Sequence, residues 1–271
     1  MEFLQIKPSA RRNGHGLSAR PSISSARQHP IGMSLFAPTR RFNAQRPEMM
    51  DQPGVDPELV REELRALERA NRRLGGHRLM LHYVGKLLGT ARRPSVSILD
   101  LGTGSADIPR AIVAWARRVR LPVTVVAVDA NPVALEIART ACREWPEIRL
   151  DEHDLRTLPY APESFDLVLC SLALHHFGNA EAQAILQRIH TLARVGCVVN
   201  DLRRNWLAIV AAELVARTVL RNPVTRNDVP QSCRAAFTVG ELRAMAAGAG
   251  MRRFQIHRHH GCFHMVLESR K

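Results

Sequence analysis

Residues 97–107 read Ser-Ile-Leu-Asp-Leu-Gly-Thr-Gly-Ser-Ala-Asp, and Asp129, 25 positions beyond Gly104, closes the apolar run Val123-Thr-Val-Val-Ala-Val128. An apolar block ending in a Gly-x-Gly turn, then a helix, then a second apolar block ending in a carboxylate describes the first half of a doubly wound α/β sheet. The glycines let the backbone approach a nucleoside, and the acid accepts hydrogen bonds from two ribose hydroxyls. A dinucleotide site would want a third glycine near position 107, where a helix N-terminus holds a pyrophosphate. The chain has Asp107 there, and Asp100 just before the glycines. Two carboxylates repel a diphosphate at close range and suit a ligand that carries an amino group and a sulfonium.

Two later segments extend the pattern: Asp151-Glu-His-Asp-Leu-Arg-Thr-Leu-Pro159, and Glu163-Ser-Phe-Asp-Leu-Val-Leu-Cys-Ser-Leu-Ala-Leu-His-His-Phe177. With them, residues 75–271 resemble the class I S-adenosylmethionine (SAM)-dependent methyltransferases. The resemblance implies SAM as cofactor, held by Asp100, Gly102, Thr103, Gly104, Asp107, Asp129, Ala130, Asp154, Leu155 and Ser171. In it, Asp154 meets the adenine amino group and Leu155 lines the ring. A nicotinamide-dependent enzyme and a degenerate domain that binds nothing remain as alternatives.

The coarse pattern is α/β. Strands are expected near 96–101, 123–129, 147–151, 165–171 and 195–200, with helices near 107–118, 132–143 and 179–193 between them. Each strand is a short apolar block, as a sheet covered on both faces requires. A long apolar helix at 205–220, an irregular polar stretch at 221–236 and a helix capped by Thr238 follow. Two strands turned at His260-Gly261 close the chain. The resemblance implies a Rossmann-like, seven-stranded, mostly parallel sheet with helices on both faces, an antiparallel last strand and an N-terminal helical lid.

The chain divides into residues 1–55, 56–90 and 91–271. Residues 1–50 hold seven Arg and one Lys against Glu2 and Glu48, and have no hydrophobic period. Such a segment should stay disordered. It fits an organelle transit segment, a functional basic tail, or a start placed upstream of a true one at Met49 or Met50. Asp56-Pro-Glu58 opens a helix that stops at Gly75-Gly76, and a second helix covers about 77–88. These two either lie over the cofactor or pack on the sheet edge. No apolar run approaches the roughly 20 residues of a membrane span. The cysteines Cys142, Cys170, Cys197, Cys233 and Cys262 are scattered, with no C-x-x-C pair, and read as reduced core thiols of a cytoplasmic protein. Of the net charge of +14, residues 1–50 supply +6, and the +8 of the remainder is spread along several helices, which argues for solvated surface over a nucleic-acid footprint.

In an open α/β sheet, ligands bind past the carboxyl ends of the strands. His175 and His176 leave the fourth strand there and are the candidate general bases. Asn200, Asp201 and Arg203 leave the fifth strand, and with Arg226 they are the candidate acceptor contacts. The histidines His257, His259, His260 and His264 alternate along a terminal hairpin and cannot converge easily, so no metal site is expected. The layout after the fifth strand resembles the ubiquinone/menaquinone-biosynthesis methyltransferases and relatives that act on polyketide-like small molecules. The segment Asn200-Asp-Leu-Arg-Arg204 departs from the quinone enzymes. The expected function is methyl transfer to a hydroxyl or carboxylate oxygen of a small-molecule acceptor. An RNA or protein methyltransferase and a non-catalytic SAM-binding subunit are the alternatives. No Asn/Asp-Pro-Pro-aromatic motif follows the fourth strand, which argues against methylation of a flipped base. The sequence leaves the oligomeric state open.

Overall fold

A computed structural model describes residues 37–89, 93–259 and 263–271. Residues 1–36, the turn at His260-Gly261, and Cys262 lie outside the described residues.

The strands β1 (Val96–Leu101), β2 (Val123–Asp129), β3 (Ile148–Glu152), β4 (Phe165–Ser171) and β5 (Ala193–Leu202) run parallel. The last strand, β7 (His264–Arg270), lies antiparallel between β5 and β6 (Phe254–His259). The sheet order is therefore β3-β2-β1-β4-β5-β7-β6, the expected seven-stranded arrangement.

Alternation along β1 divides the core between the two faces. Leu99 and Leu101 pack with α5 (Asn179–Leu192) and α8 (Val239–Gly248), through Ile185, Ile189, Leu242 and Met245. Val96 and Ile98 pack on the other face with α2 (Gly76–Leu88) and α3 (Asp107–Val119), through Met80, Val84, Leu87 and Ile112. The order of β1 and β4 beside each other leaves a crevice at their carboxyl ends, with β2 on one side and β5 on the other.

The two N-terminal helices pack on different parts of the fold. While α2 fills the core on one face, α1 (Pro57–Leu74) places Val60 and Leu64 against Ala134 and Ile137 of α4 (Pro132–Ala141). Asn71 of α1 and His77 of α2 both reach Asp107 at the start of α3, at 2.9 and 2.8 Å.

Two expectations need correction. Residues 221–236 are not irregular: after α6 (Trp206–Thr218), they form α7 (Pro223–Ala235). Asn222 caps α7 by accepting from Val224 N and Thr225 N, and Pro223 sits at the first helical position, where its missing N–H costs nothing. Pro230 inside the helix hides it from a propensity reading.

Nor does the described part of the N-terminal tail stand apart from the fold. Arg40 donates to the carbonyls of Ala235 (2.6 Å) and Phe177 (2.8 Å), and its guanidinium lies 3.9 Å from the Phe237 ring centre. Met49 N and Met50 N donate to the two carboxylate oxygens of Asp228 at 2.7 and 3.0 Å, and Asn131 Nδ2 donates to Met50 O at 3.1 Å. Polar anchors hold this strap, so it carries no hydrophobic period to read.

A chain lacking residues 1–48 strands the partners of Arg40 and Glu48 at buried positions. Its stability should fall by about 2–3 kcal/mol, or roughly 5–10 °C in melting temperature for a domain of this size. A melt within one degree of the full chain would show that the strap adds nothing.

Candidate functional site

The first wall of the crevice is a turn that only glycine fits. Gly102 has φ +69°, and a Cβ on it would lie 2.6 Å from Ala173 Cβ. The turn is therefore pressed against the segment that leaves β4. Gly102 N and Thr103 N both donate to Val128 O, tying the turn to β2. Gly104 N then donates to Asp129 Oδ2 at 2.8 Å, and Asn131 N donates to Asp129 Oδ1 at 2.9 Å. Two backbone donors fix the carboxylate at the end of β2, with lone pairs left for a ligand. Asp100 lies buried behind the turn. Burial, reinforced by the charges of Asp107 and Asp129, pushes its carboxyl up to about 7.

The second wall follows β4. The chain turns through Leu172, at φ +56°, into a short 3-10 turn, Leu174–His176. His175 N donates to Asp201 Oδ2 at 3.0 Å, and His175 Nδ1 lies 2.6 Å from Asp201 Oδ1. Its Nε2 faces Glu48 Oε1 at 3.6 Å. His176 places Nδ1 3.0 Å from Asp51 Oδ2 and Nε2 3.8 Å from Glu48 Oε2. Ser232 Oγ donates to Glu48 Oε1 at 2.6 Å. Burial alone would lower the His175 pKa, but the Asp201 charge and its hydrogen bond, with Glu48, outweigh it and raise the pKa to about 10. Burial alone would raise Glu48, and the charge of His176, with His175 and Ser232, brings it down to about 2. In the ligand-free protein these groups form an ion network.

One cavity of about 1400 Å³ joins the two walls. Pockets for one drug-sized ligand hold roughly 300–1,000 Å³, so this one has room for two ligands side by side. It is lined by Asp100, Gly102, Thr103, Gly104, Asp107, Asp129, Ala130, Asp154, Leu155 and Ser171, and by His175 and His176. The apolar part of the lining includes Leu64, Leu67, Ala211, Ala212 and Val215. Eight carboxylates line it against two arginines, Arg78 and Arg156.

The expected acceptor contacts lie elsewhere: Asn200, Asp201, Arg203 and Arg226 are not among the cavity-lining residues. Asn200 donates to Ser171 Oγ and pairs with His264, while Asp201 stands behind His175. Arg203 bridges to Phe237 through its backbone, and Arg226 is exposed on α7. Asp154 lines the cavity, but its carboxylate is already gripped by Arg156 at 2.6–3.0 Å. His153 lies edge-on to the Tyr160 ring. Of the described terminal histidines, His257 and His259 both pack on the Tyr83 ring, with His257 paired to Glu268 and His259 to the Tyr83 hydroxyl, while His264 faces Asn200. The residues missed by sequence reasoning are Glu48, Asp51 and Glu63, which line the same cavity. Among the described residues, Glu48, His175 and His176 bring three possible ligand atoms within 4.8 Å of one another, where no metal-ligating group was expected.

Residues 98–196 match the family model described as a methyltransferase domain. An uncharacterized methyltransferase of Synechocystis is 33% identical over 120 residues, 42% of this chain and 51% of that protein. An uncharacterized methyltransferase-like protein of Schizosaccharomyces pombe is 32% identical over 92 residues, 34% of this chain and 33% of that protein. The chain thus spans about a third to a half of the length of these curated relatives. In solved structures, human N-acetylserotonin methyltransferase in complex with SAM superposes with a TM-score of 0.59 at 16% identity, over 80% of this chain and 56% of that one. A putative O-methyltransferase of Nostoc punctiforme gives 0.56 at 22% identity, over 79% and 61% of the two chains. Magnesium protoporphyrin IX methyltransferase of Synechocystis, with bound S-adenosylhomocysteine, gives 0.53 at 16% identity, over 73% and 84%. These likenesses establish the fold, and the glycine turn, the held Asp129 and the acid-lined cavity fit a cationic nucleoside cofactor. Residues 98–196 thus carry a methyltransferase domain, set in a fold shared with SAM-binding methyltransferases of known structure.

Proposed function

We propose that the chain transfers a methyl group from SAM to an oxygen of a small-molecule acceptor, a hydroxyl or a carboxylate, of the phenolic or polyketide-like kind. The observation that carries this reading is the single cavity that runs from Asp129 to the His175–His176 pair. Asp129 would hold the ribose, Asp100 and Asp107 would face the positive end of the cofactor, and Leu155 would cover the adenine. Bound SAM supplies a methyl carbon already activated by its sulfonium. The protein's share is then positioning, which can supply up to roughly 7–11 kcal/mol of the barrier. The apolar lining at Ala211, Ala212 and Val215 would hold the body of the acceptor. His175, fixed by Asp201, and His176, beside Asp51, would meet its oxygen. A cavity with this surplus of acids repels a phosphate backbone, which disfavours a nucleic-acid strand as acceptor. Among the described residues no helix is long and apolar enough to cross a membrane.

Asp129→Ala removes the ribose acceptor and should weaken SAM binding by roughly 10–150-fold, or about 1.5–3 kcal/mol. Calorimetry showing wild-type affinity would remove the assignment. The acceptor side is read by mass spectrometry over a panel of phenols and carboxylates, and His175→Ala should lower kcat about 100-fold with SAM affinity near wild type. A near-normal rate would leave positioning alone.

The pH dependence has a defined sign. Asp100 titrates at about 7 in the free protein, and a cationic ligand beside it favours the ionised form. Affinity for SAM should therefore rise from pH 6 to 7, by up to about 10-fold per unit, level off above pH 8, and release a proton on binding below that. Affinity flat between pH 6 and 8 would mean that Asp100 does not sense the cofactor.

A further inference from the structure

We propose that Glu48, His175 and His176 form a binding site for a divalent first-row transition-metal ion. On the methyl-transfer reading above, its open positions would take the acceptor's oxygen.

The spacing is that of a ligand set. Glu48 Oε1 and His175 Nε2 are 3.6 Å apart, and Glu48 Oε2 and His176 Nε2 are 3.8 Å apart. Both separations are too long for hydrogen bonds, which end near ~3.2 Å. Ligand atoms bound to one ion at about 2.0–2.2 Å can stand up to roughly 4.2 Å apart. All three ligand atoms here lie within 4.8 Å of one another, so closing on an ion needs side-chain shifts of up to about 1 Å.

The groups behind the ligands are those a metal site uses. A metal-bound histidine presents one ring nitrogen to the ion and gives the other to a carboxylate, which sets its tautomer and orientation. Here both histidines have that second partner: His175 Nδ1 is 2.6 Å from Asp201, and His176 Nδ1 is 3.0 Å from Asp51. Each is left with Nε2 turned to Glu48, and Ser232 Oγ donates to Glu48 Oε1, the oxygen that faces His175. Three carboxylates around two imidazoles, in a largely buried corner, leave room for a divalent charge.

Chemistry narrows the ion. Two imidazoles and one carboxylate suit zinc, iron(II), cobalt or manganese better than magnesium or calcium, which prefer all-oxygen sets. Three protein ligands leave positions open, as catalytic sites do. The site opens onto the cavity beside the apolar wall. A hydroxyl bound there would shed its proton to bulk water and stay ionised near neutral pH.

The test uses the full chain, stripped with a chelator and titrated with Co2+. The readouts are visible absorption and metal content after dialysis. One ion per chain is expected, lost in both Glu48→Gln and His176→Ala, and weakened about 10–100-fold in Asp51→Asn. SAM affinity and melting temperature serve as checks of folding. If Glu48→Gln does not fold, His176→Ala, at a partly exposed position, decides. Absence of Co2+ binding at 100 µM, in a chain that still binds SAM, overturns the proposal. So does equal binding by wild type and folded variants, which would place the ion elsewhere, as on the terminal histidines. A chain that binds Co2+ through these residues but does not bind SAM keeps the metal site and removes the methyl-transfer reading.

Discussion

Eight carboxylates around one half-open cavity repel one another, and most features of the site can be read as answers to that repulsion. Unpaired ionised acids in a poorly solvated space cost several kcal/mol each, so they are paired, protonated or matched by a ligand. All three answers occur. Glu48 and Asp51 are faced by His175 and His176, and Asp154 is held by Arg156. Asp100 and Glu63 keep their protons up to about pH 7, chiefly through burial. Asp129 takes two backbone N–H donors and keeps free lone pairs towards the cavity. A cofactor with a sulfonium and an ammonium fits that field, and a pyrophosphate does not.

The N-terminal strap belongs to this balance. It brings Glu48 and Asp51 over the turn after β4, and it is anchored by Arg40 at one end and by the Asp228 contacts at the other. Asp228 and Ser232 both lie on α7, so strap and helix brace each other. The acceptor end is thus assembled from three distant stretches of chain, whereas the cofactor end is built mainly from β1, β2 and the turns after them.

That difference explains what could be read in advance. A turn that needs positive φ and a close approach to Ala173 admits only glycine, so Gly102 shows in the sequence as a residue type. The inner parallel strands were legible because a sheet covered on both faces demands short apolar blocks. Glu48 was not: its partners are more than 120 positions away, and the residues around it are those of an unstructured tail. α7 was hidden by Pro230, although Asn222-Pro223 at its start is a cap that could have revealed it. Asp201 was placed at the right strand end and given the wrong task. It turns behind His175, so it shapes the site without lining it. Arg204, next to Arg203, is the buried arginine, and it is spent on Pro38, Ala236 and Glu241.

The central claim is that one cavity holds the cofactor at the Asp129 end and presents its sulfur to the Glu48–His175–His176 corner. A crystal structure of the full chain with S-adenosylhomocysteine tests it most directly. The account predicts both ribose hydroxyls on the Asp129 carboxylate, the nucleoside against the Gly102–Gly104 turn, and the sulfur facing His175 across the open part of the cavity. A ligand bound with its sulfur turned away from that corner, or with its ribose on another acid, would contradict it.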